Sequence, residues 1–133
     1  MDNKTVYRDF IQKVFNEGRL DLLDQFLAPG YVIQDSPPGT KAGAEGVKDV
    51  VTMFRSAFPD LEITLDEVIA EGETVASRAT LRGTHTGDFL GVPATGRSIS
   101  VPSLTMVRIV EGRLVESRVK NDTALLMAQI NGA

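Results

Sequence analysis

The feature that most restricts the fold of this chain is a change of hydrophobic period at Phe58-Pro59-Asp60. Before it, apolar residues recur at helical spacing; after it they alternate. Val6, Phe10, Ile11, Val14 and Phe15 predict a first helix, with Asn3 or Thr5 as its cap. Asn16-Glu17-Gly18-Arg19 closes it, and Leu20, Leu22, Leu23, Phe26 and Leu27 predict a second, short helix that ends at Pro29-Gly30. Residues 31–33 read as a brief strand and Ser36-Pro37-Pro38-Gly39 as a turn. Val47, Val50, Val51 and Phe54 share one face of a third helix over 44–57.

Beyond the switch, Leu61, Ile63 and Leu65 alternate with Glu62, Thr64 and Asp66, the pattern of a strand with one wet face. Glu71-Gly72-Glu73 turns the chain into a strand over 74–82. A strand over 98–110, the Glu111-Gly112-Arg113 hairpin turn, a strand over 114–120 and a helix over 123–130 complete the reading. Three helices followed by a curved antiparallel sheet is an α+β order. With no linker, repeat or low-complexity segment, residues 1–133 are expected to form one domain.

Composition removes several function classes. The net charge of −4 and the scattered basic residues argue against a nucleic-acid partner. One histidine and no cysteine leave no multi-histidine or thiolate metal centre within one chain, so no metal is expected. Glycines at 83, 87, 91 and 96 do not fit a dinucleotide fingerprint, and no organic cofactor is expected. No apolar run approaches a membrane span and Met-Asp-Asn-Lys-Thr lacks a signal-peptide core, which points to a cytoplasmic protein without a membrane partner. Chemistry must rest on carboxylates, amines, hydroxyls or the single imidazole.

The stretch Gly83-Thr-His-Thr-Gly-Asp-Phe-Leu-Gly-Val-Pro-Ala-Thr-Gly-Arg97 is too long for a plain connection, and Phe89, Leu90 and Val92 give it apolar surface to bury. With Phe15-Asn16-Glu17-Gly18, Phe58-Pro59-Asp60-Leu61 and Arg108-Ile109-Val110-Glu111-Gly112, it resembles the SnoaL-like polyketide cyclases of the nuclear-transport-factor-2-like superfamily. The resemblance implies a cone whose bent sheet wraps the helices and leaves an apolar pocket at the open end. It also implies a homodimer paired through the outer sheet faces.

The resemblance places Asp122 where such cyclases carry the aspartate that moves protons in an intramolecular aldol ring closure. Read from the residues alone, Asp122 is equally well placed as the N-cap of the last helix, and the two roles are compatible. Thr105 stands where the antibiotic-pathway cyclases have a histidine, and Gln34 stands where many relatives read Tyr-Val-x-His-Asp. Arg118 and Lys120 share strand parity with Asp122, so all three are expected in the pocket if the aspartate faces it. A lysine amine against apolar walls suits a Schiff base; the same alternation also fits a plain solvent-facing edge. Such departures belong to a diverged paralogue or to a scaffold rebuilt for new chemistry.

His85 is expected to bond its own loop near the pocket mouth, and Asp35 is either a second pocket carboxylate or a turn former. Phe10, Val14, Phe54 and Met106 are candidate cavity walls or simply core. The leading functional expectation is a cofactor-independent acid/base enzyme acting on a hydrophobic carbonyl compound, an aldol cyclase or isomerase. The alternatives are a lysine-amine aldol catalyst and a non-catalytic module that binds a hydrophobic small molecule.

Overall fold

The computed structural model describes residues 2–36 and 38–132. Helix α1, Asn3–Phe10, continues as a wider π-type turn over Ile11–Asn16 and buries Val6, Tyr7, Phe10, Ile11 and Val14. Its cap is Asp2, whose carboxylate accepts from Thr5 N at 2.9 Å. Neither expected cap serves: Thr5 supplies the amide being capped, and Asn3 Nδ2 instead donates to Ile109 O at 3.3 Å. The π turn ends on Asn16, which holds Ile63 through both backbone groups, at 2.7 Å to its N–H and 3.0 Å to its carbonyl. That pair occupies the free edge of the sheet, which would otherwise present unpaired backbone groups.

After a 3₁₀ turn, Leu20–Leu22, a short helix α2, Leu23–Phe26, leads straight into strand β1, Leu27–Gln34. The strand thus begins at Leu27 rather than Tyr31 and runs through Pro29-Gly30. The proline is tolerated because β1 lies at the sheet edge, where a missing N–H costs no ladder bond. Pro37, part of the expected turn, lies outside the described residues. Helix α3 spans Gly43–Ala57, and strands β2, Glu62–Glu71, β3, Thr74–Thr84, β4, Ser98–Val110, and β5, Arg113–Asn121, follow; helix α4 is Thr123–Ile130.

The five strands form one sheet in the order β1-β5-β4-β3-β2. Strands β2 to β5 are antiparallel neighbours, as the alternating pattern predicts; β1 joins β5 in parallel, which makes the sheet mixed. Two apolar clusters fill its concave side. One gathers α1 and α3 over β3, β4 and β5, with Val14, Tyr7, Val51 and Leu114 deeply buried. The other holds Phe54, Phe58, Phe89, Leu126 and Ile130, and Ile63 packs against both.

Between α3 and β2, Asp60 fastens the end of β3: its Oδ1 accepts from Thr84 N at 2.7 Å and its Oδ2 from Thr84 Oγ1 at 2.8 Å. These bonds, the backbone one foremost, hold the Asp60 carboxyl below its ordinary value. A depressed folded-state pKa contributes stability above the unfolded value, lost as pH falls through the folded one. Urea midpoints are therefore expected to drop below about pH 4, and Asp60→Asn to flatten part of that drop. Identical acid profiles for parent and variant would count against the latch.

A hydroxyl-floored cavity

The concave face of the sheet is read by parity. On β3, β4 and β5 the inward side chains are Ser77 and Ala79, then Ser103, Thr105 and Val107, then Ser117, Val119 and Asn121. Together with α1, α3 and β1, all of these but Ser77 enclose a cavity of about 690 Å³, within the range of small-molecule sites. Phe10, Ile11, Phe15, Val50, Phe54 and Leu81 are among its apolar walls.

Its floor is polar but uncharged. Tyr31, on β1, donates to Ser117 Oγ at 2.7 Å, and Tyr7, on α1, lies 2.9 Å from Ser77 Oγ. Ser103 Oγ donates to Asn121 Oδ1 at 2.6 Å. Burial pushes the Tyr31 phenol up to about 12, against the opposing bond to Ser117. Burial likewise raises Tyr7, while its bonds to Ser77 and Thr105 lower it. Both phenols therefore stay protonated at neutral pH, and Tyr31 serves as a donor. Since Tyr31 donates to Ser117, the serine keeps its own proton for another acceptor. Since Asn121 accepts through Oδ1, its Nδ2 is left to donate.

The predicted site residues divide accordingly. Phe10, Phe54, Thr105, Gln34, Asp35 and Lys120 border the cavity. Gln34 Nε2 is committed to Glu116 Oε2 at 3.1 Å. Asp35, exposed at the mouth with φ +57°, lies 3.9 Å from the Arg118 guanidinium. Lys120 is exposed and shares outward parity with Arg118, so it borders the cavity only along the open edge of β5 beyond its last pair with β1, Gln34↔Arg118.

Five residues do not line the cavity. Asp122 is exposed and caps α4, its Oδ1 accepting from Leu125 N at 3.0 Å. Arg118 points outward and joins an ion-pair chain through Glu116, 3.8 Å away, to Arg108. Met106 lies on the outer face, 52% exposed, and Val14 is packed within the core. His85 is fully buried behind the cavity wall, its ring against Phe58 at 5.6 Å between centroids.

His85 does bond its own loop, as its position in the sequence suggests. Its Nδ1 accepts from Thr95 N at 3.3 Å and lies 2.9 Å from Thr95 Oγ1, while its backbone exchanges bonds with Gly96 and Arg97. An accepting Nδ1 puts the ring proton on Nε2, which has no partner among the described residues. Thr86 N and Gly87 N both donate to Ala57 O, so the loop is fastened to α3 as well as to itself.

Tyr7, Tyr31, Ser103, Ser117 and Asn121 were not among the sequence candidates. Their signal was small hydroxyls at inward-facing strand positions, which resembles an ordinary wet face. The described residues hold no group of three or more His, Cys, Asp or Glu able to bind a metal, and none of their helices is long and apolar enough to cross a membrane.

Comparison with known proteins matches residues 5–130 to the SnoaL-like polyketide cyclase family. The chain is 32% identical over 113 residues to aklanonic acid methyl ester cyclase DauD of Streptomyces sp. (strain C5), covering 80% of this chain and 68% of that protein. It is 32% identical over 107 residues to nogalonic acid methyl ester cyclase of Streptomyces nogalater, covering 78% and 79%. The solved structure of TsrD from Streptomyces laurentii superposes with a TM-score of 0.88 at 29% identity, covering 100% of this chain and 99% of that one.

Proposed function

The chain belongs to the SnoaL-like polyketide cyclase family, and from that premise we propose that it is a cofactor-independent acid/base enzyme closing a ring on a hydrophobic polyketide-like carbonyl compound. The observation that carries this reading is the apolar cavity with an uncharged donor floor. An aldol closure removes a proton next to one carbonyl, joins that carbon to a second carbonyl carbon, and returns a proton to the new alkoxide. Each stage places negative charge on an oxygen. Fixed donors in a dry site stabilise such an oxygen far better than water does. Ser117 Oγ, backed by Tyr31, and Asn121 Nδ2 are assigned to that oxygen.

For the proton acceptor, we assign Asp35. Among the described residues the carboxylates bordering the cavity are Asp35 and Asp49, each 3.9 Å from a cation, Arg118 and Lys41 respectively; Asp35 directly follows β1, the strand that carries Tyr31. Asp122 is assigned the α4 cap. The relatives named as methyl ester cyclases support a methyl ester as the substrate class.

Deuterium wash-in from heavy water into hydrophobic ketones and β-keto esters, followed by NMR, tests the assignment. Asp35→Asn is expected to slow exchange about 100-fold. Asp122→Asn, which keeps a good cap, should stay within a few-fold of the parent. Loss with Asp122→Asn alone would transfer the role to Asp122. Loss with Lys120→Met alone would indicate an enamine route. Absence of exchange in the parent would favour a binding module.

A further inference from the structure

The loop between β3 and β4 ends in a hairpin tip at the cavity mouth. Phe89 N donates to Val92 O at 3.0 Å and Val92 N to Phe89 O at 2.9 Å, which leaves Leu90 and Gly91 as the two turn residues. Both have positive φ, +47° and +84°, as a type I′ turn requires. Glycine suits that conformation; leucine is disfavoured in it, and asparagine or glycine is the residue such a turn selects. Phe89 on one side is 2% exposed and clamped between Phe54 and Phe58, each 5.4 Å away between centroids. Leu90, by contrast, is 58% exposed while bordering the cavity. The fold therefore holds a large apolar side chain in an unfavourable backbone conformation, where it gains little burial of its own.

We propose that Leu90 is a specificity-determining residue: it closes over the apolar body of a ligand seated in the cavity, and the strained turn is retained to hold it there. Strain at an over-determined position beside a site marks a functional constraint rather than a packing need. Phe89 anchors the hairpin and Leu90 gains its burial from the ligand. The ligand class is an extended apolar carbonyl compound that reaches from the hydroxyl floor to the mouth. A short ketone would fill the floor and leave the leucine in water. This rests on the proposed function only in taking the cavity as the ligand site.

The test compares Leu90→Asn and Leu90→Gly with the parent by thermal melting and by fluorescence titration with prodan, an environment-sensitive naphthyl ketone. Both variants are expected to melt at or above the parent's temperature and to bind prodan about five- to tenfold more weakly. Affinity for acetone-sized ketones, followed by competition, should not change. Equal prodan affinity across the three proteins would overturn the inference while leaving the cavity reading intact. A lower melting temperature in both variants would also overturn it, since that would make Leu90 a structural residue. Failure of the parent to bind prodan would overturn the cavity reading and this inference together.

Discussion

Replacing Gly87 by alanine is expected to destabilise the protein by about 3 kcal/mol, read as a shift in the urea midpoint. A Cβ at this position would lie 2.1 Å from Ser56 O and 3.3 Å from Ala57 Cα. Both obstacles are backbone at the end of α3, so no side chain can swing aside. The same residue and Thr86 donate their N–H groups to Ala57 O. Relieving the clash therefore separates the loop from the helix and strands those donors. The neighbouring Asp88 is exposed, and Asp88→Ala should stay within about 0.5 kcal/mol of the parent. An unchanged midpoint for Gly87→Ala would mean that the loop is not seated on α3 as described.

The second large effect is expected on turnover. Tyr31→Phe removes a phenol that donates to Ser117 at 2.7 Å while keeping the ring's packing, and Ser117→Ala removes the group it supports. Each change should lower kcat about 100-fold with a smaller change in KM, the mark of an interaction made mainly as charge develops. The double variant should cost little more than either single one, because the two hydroxyls act in series. Since burial pushes the Tyr31 phenol up to about 12, the loss should be constant between pH 6 and 9. A loss confined to KM would reduce the pair to a binding contact.

Much of the architecture was legible because the period of the sequence matches it. Helix α4 falls on residues 123–130 as read, and β2 to β5 follow their alternation. The edge strand was not legible: Pro29-Gly30 has the form of a helix stop, and only its place at the sheet edge makes a proline harmless inside β1. On β5 the candidates turned on parity. Asp122, Lys120 and Arg118 share one parity, which suited either a pocket set or a solvent-facing edge, and β5 faces inward through Ser117, Val119 and Asn121. A bulge opposite Arg108 and Ile109 shifts the β4–β5 register, so inward Leu114 is followed by inward Ser117. One extra residue of this kind exchanges the two faces of a strand. Met106 was chosen for its apolar character, which carries no information about direction.

The parallel pairing of β1 with β5 has a consequence for biogenesis. Val32 finds its partner at Glu116, and the Tyr31 phenol finds Ser117, so the floor joins segments from opposite ends of the chain. During synthesis α1, β1 and α3 are present long before that partner leaves the ribosome. Non-local closure of this kind is slow, and it leaves an unpaired edge and apolar walls open to aggregation meanwhile. The hydroxyl floor is thus assembled by the last strand of the sheet to arrive. Formation of the donor array therefore waits on the pairing of β5 with β1.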